Sequence, residues 1–405
     1  MKTILATAYA INPYKGSEDG MGWNFTLQIA RFNKVIVITR KNNRQHIENY
    51  IIENPNKLYD NIQFLYFDTP YWMRFWKKGG RGAMLYYLLW QKKIISFVKK
   101  QNISFDIVHN LNFHNDWSPS FLWKLRKPFV WGPIGHHPLI PAQYLKPYSL
   151  SYWLKDRLTW LVKKFFWNFS PSLKKSIASS SHIFCMNTGV AEKLSLKSKF
   201  SVMPTVATQD FGWNEKIENS DTFTLISAGR FVPLKGFDLT ISSFASFYHS
   251  LSQENQQKCE LLLVGKGPEE PLLKKLASTL KVANQVHFIS WIERDELMKL
   301  FKNSSAFIFP SHEGAGMVVA EALSFGLPVV CLDNEGPGEF ISKECGFSIV
   351  QSDYNTTVRH LSEAIQQLFY SENIQDFRLN ARQHFLEHFH WDRRGESLQK
   401  IYAKL

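Results

Sequence analysis

The chain has no run of about 18 apolar residues, so no membrane-crossing helix is expected. Its four cysteines, Cys185, Cys259, Cys331 and Cys345, are scattered, with no CxxC pair and no histidines clustered with them at zinc spacing. That argues against a disulfide framework or structural metal and for a reducing compartment, the cytoplasm. GxxxxGK[ST], GxSxG and HExxH are all missing, which removes the local signatures of P-loop, serine-hydrolase and zinc-protease chemistry. No internal repeat or low-complexity tract is present. Acidic residues are scarce in one half only. Residues 1–215 hold 29 Lys and Arg against 12 Asp and Glu, a net of +17; the remainder holds 19 against 23, a net of −4. Eleven of the thirteen tryptophans lie in the same basic half, which suits an anionic partner.

With 405 residues, 44% of them hydrophobic, the chain has room for two or three globular domains. The opening "MKTILATAYAINPYKG" imitates a secretion signal. Thr3 and Thr7 interrupt its apolar part and Pro13 and Gly16 follow, so it reads as a first buried strand. Apolar runs at 34–40, 62–67, 105–111 and 128–133 continue the strand pattern. Runs at 222–230, 259–267, 285–291, 305–311 and 327–332 repeat it. Helical patterns lie between them, as at 236–251 and 268–282. Strand–helix alternation predicts parallel sheets with helices on both faces, one doubly wound Rossmann-like α/β domain in each half, facing a central cleft. The expected division is 1–205, a linker at 206–221, and 222–385, with a last helix at about 386–405 returning to the first domain. Ligands of such sheets bind at the carboxyl ends of the strands.

The richest stretch is "SHEGAGMVVAEALSFGLP" at 311–328: a loop after a buried strand, then a helix closed by Gly326 and Pro328. Gly314, Ala315 and Gly316 bare the backbone amides where a helix begins, which suits a phosphate or serves as a plain tight turn. Glu313 and Glu321 stand eight residues apart. Were all eight helical, their Cα atoms would be roughly 12 Å apart along the axis. That spacing suits two ends of an elongated ligand better than a pair flanking one bond, although it does not exclude a glycosidase pair.

This stretch resembles the glutamate–seven–glutamate motif of the family 4 (group 1) glycosyltransferases, the retaining GT-B enzymes. "SAGRFVPLKGFDLTISSF", "LLLVGKGPEEPLLKKL" and "VHFISWIERDELMKLFKNSSAFIFPS" follow that family's order through nearly all of 222–345. The resemblance implies that Arg230 and Lys235 grip the diphosphate of a nucleotide-sugar, a guanidinium fork and a point charge stabilising the leaving group. It places the amides of Gly314, Ala315, Gly316 and Met317 on phosphate and sugar, Glu313 beside the donor sugar and Glu321 on the ribose. For Glu321 a buried cap or salt bridge is the competing reading. Trp291 and Ile292 stand where backbone meets the base, and Trp291 is equally readable as core. Ala315 and Met317 replace the family's usual bulky residue and Leu.

The first half resembles a subset of the same family more loosely. "NPYKGSEDGMGWNFTLQIAR" puts Gly16 near the phosphates, although its glycines alone indicate only a turn. "FDIVHNLNFHND" offers His109, three after Asp106, for a catalytic role near the donor sugar, with His114 as its competitor. "PFVWGPIGHHP" carries His136 and His137 where glycines are usual; His114 and His136 are the candidate acceptor contacts. No Asp-x-Asp triplet, used by GT-A enzymes to hold a metal, occurs in the chain. The implied activity is retaining, metal-independent transfer, without a cofactor, from a nucleoside-diphosphate sugar to a saccharide or lipid-linked acceptor in surface-polysaccharide assembly. A nucleotide-sugar hydrolase or epimerase and a non-catalytic binding protein are the alternatives. Segments 71–100 and 144–175 interleave aromatics with Lys and Arg, as a helix on an anionic membrane surface would. A nucleic-acid surface has similar charge, but no nucleic-acid motif accompanies it. The expected setting is cytoplasmic, peripheral on the membrane's inner face.

Overall fold

The computed structural model describes residues 1–79, 81–111, 115–213 and 222–405. The chain divides into two units. The first comprises 1–136, 157–205 and 391–405, and the second 137–156 and 206–390.

The first unit holds a seven-stranded sheet of β1 (Thr3–Thr7), β2 (Lys34–Thr39), β3 (Ile62–Tyr66), β4 (Ile107–Asn110), β5 (Phe129–Ile134), β6 (His182–Cys185) and β7 (Phe200–Val202). Every pairing is parallel and the order is β3-β2-β1-β4-β5-β6-β7. The order reverses between β1 and β4, leaving a crevice at their carboxyl ends. Alternate residues such as Leu5, Ile36, Ile38, Val108 and Trp131 share one core with the helix Ala83–Lys100, which buries Tyr86, Tyr87, Trp90 and Ile94. Half of the basic aromatic segment 71–100 is therefore an ordinary core helix.

The second unit repeats the scheme with β8 (Phe223–Ala228), β9 (Cys259–Val264), β10 (Val286–Ile289), β11 (Ala306–Phe309), β12 (Val329–Asp333) and β13 (Gly346–Val350), ordered β10-β9-β8-β11-β12-β13 and again all parallel. Its strands explain their unbroken apolar sequence. Leu225, Leu261, Ile308 and Val330 enter one core, under the helices Phe237–Ser250 and Tyr354–Phe369. Their neighbours Ile226, Phe307, Phe309, Val329 and Cys331 enter the other, with Ala322, Leu323, Ala381 and Phe385. Both faces are buried, so both sets must be apolar. The strands β6, β7 and β13 escaped the sequence reading because they are short, and Ser201 and Ser348 interrupt the apolar runs of β7 and β13.

Residues 137–156 lie with the second unit, not with 1–205. Tyr144 Oη donates to the Ser352 carbonyl at 2.8 Å and bonds Thr357 Oγ1 at 2.8 Å. Tyr148 Oη donates to the buried Asp238 carboxylate at 2.5 Å. Burial raises the Asp238 carboxyl above the usual range, against hydrogen bonds from Tyr148 and Tyr354. Of the expected linker 206–221, residues 214–221 lie outside the described residues. The part that precedes them is packed: Phe211 stacks with Phe325 at 5.9 Å, and Asp210 pairs with Arg382 at 2.5 Å.

The closing helix Trp391–Lys404 groups with the first unit. Arg31 pairs with Asp392 at 2.8 Å and Phe25 meets Trp391 edge-on. Gly395 faces Gln28 so closely that a Cβ there would lie 2.4 Å from the Gln28 Oε1. Among the described residues no helix is long and apolar enough to cross a membrane.

Burial keeps several histidines neutral. The His109 ring is pushed down to about 3 and His312 to about 4, from an ordinary 6.5. The unfolded chain takes up these protons first, so protonation favours unfolding as pH falls below about 6.5. The melting temperature is expected to drop steadily between pH 6.5 and 4 in scanning fluorimetry at constant ionic strength. His312→Gln is expected to flatten that slope; an unchanged slope would show that His312 is not the responsible group.

Candidate active site

The second sheet reverses order between β8 and β11, and the loops that leave these two strands carry the charged residues. After β8 comes Gly229, then the exposed Arg230, whose side chain has no carboxylate partner among the described residues. A single 3-10 turn, Pro233–Lys235, ends at Gly236 with φ of +67°. A Cβ at Gly236 would lie 2.0 Å from the Pro310 carbonyl, so only glycine allows the turn to rest on the end of β11. The Leu234 carbonyl then accepts from His312 N–H at 2.9 Å and from Ser311 Oγ at 3.1 Å. These bonds hold the two loops together and set Lys235 above Glu313.

Lys235 Nζ meets Glu313 Oε1 at 2.5 Å, both side chains being largely but not wholly buried. The ammonium also lies 5.0 Å from the Phe309 ring centre. One of its three N–H donors goes to Glu313, which leaves geometry for further acceptors. The Glu313 amide donates to Ser311 Oγ at 3.3 Å, and Asn334 Nδ2 holds the Ser311 carbonyl at 2.7 Å. The loop carrying Glu313 is thus braced from both sides.

The helix Met317–Ser324 begins at Gly316, with no side-chain cap. The amides of Ala315, Gly316 and Met317 have no acceptor among the described residues, and helix polarity makes this end attractive to an anion. Gly314, expected among these donors, differs. Its N–H donates to His137 Nδ1 at 3.0 Å, so the ring nitrogen facing it carries no proton.

Glu321 lies in the second turn of this helix, 5% exposed, and pairs with Arg294 Nη2 at 2.6 Å. Burial raises its carboxyl above the usual range and Arg294 partly offsets that. Arg294 opens the helix Arg294–Lys302, just after Trp291 and Ile292. Trp291 is 63% exposed, which rules out its reading as core, whereas Ile292 packs against the second-unit core. Each glutamate therefore has its own cation. They do not form a proton-sharing pair.

In the first unit, Gly16 is exposed at the start of the helix Ser17–Ala30, in the loop after β1. His109 is a correction. It is fully buried, with Nδ1 bonded to Tyr402 Oη at 2.5 Å and Nε2 to the Gly132 carbonyl at 2.7 Å. Both nitrogens are engaged, so the ring ties β4 to the closing helix and has nothing left to offer a substrate. His114 lies outside the described residues. His136 is buried, with Nδ1 2.7 Å from Asp116 Oδ2, its amide on Asn187 Oδ1, and its ring against Trp160 and Trp167. The sequence reading missed Asp116, Arg294, Ser311 and Asn334, and it noted His137 without the Gly314 amide as its partner. Asp116 stood within the motif quoted for His109. Arg294 carried no signal, because its partner is remote in sequence.

Arg294→Ala leaves the buried Glu321 carboxylate without its cation and is expected to cost about 1–3 kcal/mol of stability. Glu321→Gln removes the charge itself and is expected to cost less. Urea unfolding followed by tryptophan fluorescence compares the two, and equal losses would show that the pair is not the dominant contact.

Residues 211–384 match the model of the family described as glycosyl transferases group 1. A lipopolysaccharide core biosynthesis glycosyltransferase (LpsE) of Rhizobium meliloti is 28% identical over 225 residues, 50% of this chain and 57% of that protein. The chain spans about half the length of the curated relatives it matches. Among solved structures, WaaG, a glycosyltransferase involved in lipopolysaccharide biosynthesis, aligns over 98% of this chain and 99% of its own, with a TM-score of 0.61 at 18% identity. Anabaena Alr3699/HepE in complex with UDP aligns over the whole of both chains, with a TM-score of 0.63 at 14% identity. At such identities the structural likeness speaks to the fold. Residues 211–384 thus match the group 1 glycosyl transferases, and the chain as a whole has the two-sheet GT-B fold.

Proposed function

We propose that this glycosyltransferase moves a sugar, with retention and without a metal, from a nucleoside-diphosphate donor to a saccharide hydroxyl in surface-polysaccharide assembly, on a lipid-linked acceptor. The observation that carries the reading is the meeting of Arg230, Lys235, Glu313 and the amides of Ala315 to Met317 on the two loops at the sheet's switch point. A diphosphate needs dispersed positive charge as its bond to the sugar breaks. A guanidinium, an ammonium and a helix terminus supply it without a divalent cation. The HepE structure holds UDP, and LpsE and WaaG are named for lipopolysaccharide synthesis; these support the donor class and the biological setting.

In this reading Arg230 and Lys235 bind the leaving diphosphate. Glu313 orients Lys235 and stands beside the donor sugar. Glu321, held by Arg294, is the ribose contact, and the exposed Trp291 with Ile292 borders the base. His137 fixes the loop by accepting from Gly314. Retention follows from attack on the face the phosphate leaves, with a phosphate oxygen accepting the acceptor's proton, so no carboxylate base is needed.

A thermal-shift panel of UDP-, GDP-, ADP- and dTDP-sugars is expected to give one clear riser. A ligand at 100 times its Kd adds about 2.7 kcal/mol. Arg230→Ala is expected to lower kcat/KM for that donor by about 10²–10³, with its folding intact. EDTA is expected to leave the rate unchanged, and proton NMR of the product to show the donor's anomeric configuration. Donor binding with only free sugar released would favour a hydrolase, and unimpaired turnover by Arg230→Ala would refute the site.

A further inference from the structure

Of the two basic aromatic segments, the second folds in an unusual way. The helix Leu150–Phe169 is 20 residues long and has no buried residue. Its inner side is aromatic: Trp160 and Trp167 meet edge-on at 5.2 Å, and Phe166 packs against Trp117 at 5.2 Å. Its outer side is apolar and mostly leucine. Leu150, Leu154, Leu158, Leu161, Phe165 and Phe169 recur at intervals of three and four, and each is between 47% and 72% exposed. That spacing puts all six on one stripe.

We propose that this stripe is a membrane-docking surface, on which the helix lies flat in the headgroup region of an anionic phospholipid bilayer. Two observations choose this occupant over a second copy of the chain. The helix carries Lys155, Arg157, Lys163 and Lys164 against one acidic residue, Asp156. Residues 1–215 together carry a net charge of +17. Two copies meeting along this face would bring like charges together, whereas an anionic lipid surface neutralises them. The chemistry is that of an interfacial helix: apolar side chains among the upper acyl chains and basic side chains at the phosphates. The first unit, which holds residues 157–169 of this helix, has a second feature of this kind. Tyr71 and Trp72 are 73% and 72% exposed, beside Arg74, Lys77 and Lys78. The helix Ala83–Lys100, similar in composition, buries its aromatics and is excluded. The proposal does not depend on the donor site, so either can fail alone.

The test is flotation of the full chain with vesicles of phosphatidylcholine alone and of phosphatidylcholine mixed with phosphatidylglycerol. The protein is expected to float with the anionic vesicles, to stay in the buffer with the neutral ones, and to be released by high salt. Leu158→Glu with Phe165→Glu is expected to weaken binding at least about tenfold; circular dichroism checks its folding. Lys164→Glu, a charge change on the rim, is expected to weaken anionic binding without touching the stripe. Wild type remaining in the buffer with anionic vesicles, or the double variant floating as wild type does, would overturn the proposal. So would light scattering that shows a wild-type dimer abolished by the double variant while vesicle binding is unchanged.

Discussion

The turn that closes at Gly236 rests directly on the carbonyl of Pro310, at a distance that no side chain permits. The Lys235–Glu313 pair depends on that approach. The approach brings the Leu234 carbonyl under the donors of Ser311 and His312, and so suspends Lys235 over Glu313. The two loops come from strands that are neighbours only because the sheet reverses its order between β8 and β11. A lysine and a glutamate 78 residues apart are thereby held in one rigid setting.

The pairing of the glutamates shows how burial and charge divide their work. Glu313 sits at the partly open rim with an ammonium beside it. Glu321 is inside the helix face, where burial raises its carboxyl and a guanidinium from another helix compensates. A buried carboxylate without such a partner would take up a proton or destabilise the fold. The arrangement gives the site two anions and three cations, Arg230, Lys235 and Arg294, a net positive field suited to a dianionic group. The match of residues 211–384 to the group 1 glycosyl transferases gives that field a chemical context.

Much of the fold was legible because buried parallel strands must be apolar on both faces. The runs at 222–230, 259–267 and 305–311 therefore stand out in the sequence, as do the Lys-Gly and Glu-Gly loops that follow two of them. The assignments that went astray share a different cause. His109 follows a strand in the right place, yet its ring is closed between Tyr402 and the Gly132 carbonyl. Residues 137–156 follow the first sheet in sequence, yet Tyr144 and Tyr148 fasten them to Thr357 and Asp238. In both cases a deciding partner, Tyr402 for His109 and Thr357 or Asp238 for the tyrosines, is at least 90 residues away.

The sequence by itself determined the class of fold, the order of its motifs and the loops where glycines bare the backbone amides. Those follow from local rules: period, loop chemistry, and the fit of glycine to a tight turn. Only the tertiary structure decided that His109 is closed between two partners, that Gly314 donates to His137, that Arg294 answers Glu321, and that the helix 150–169 turns an apolar stripe outward while 83–100 turns its aromatics in. Side-chain partnership and exposure depend on what other strands and helices bring near, and amino-acid spacing along one segment carries no record of that.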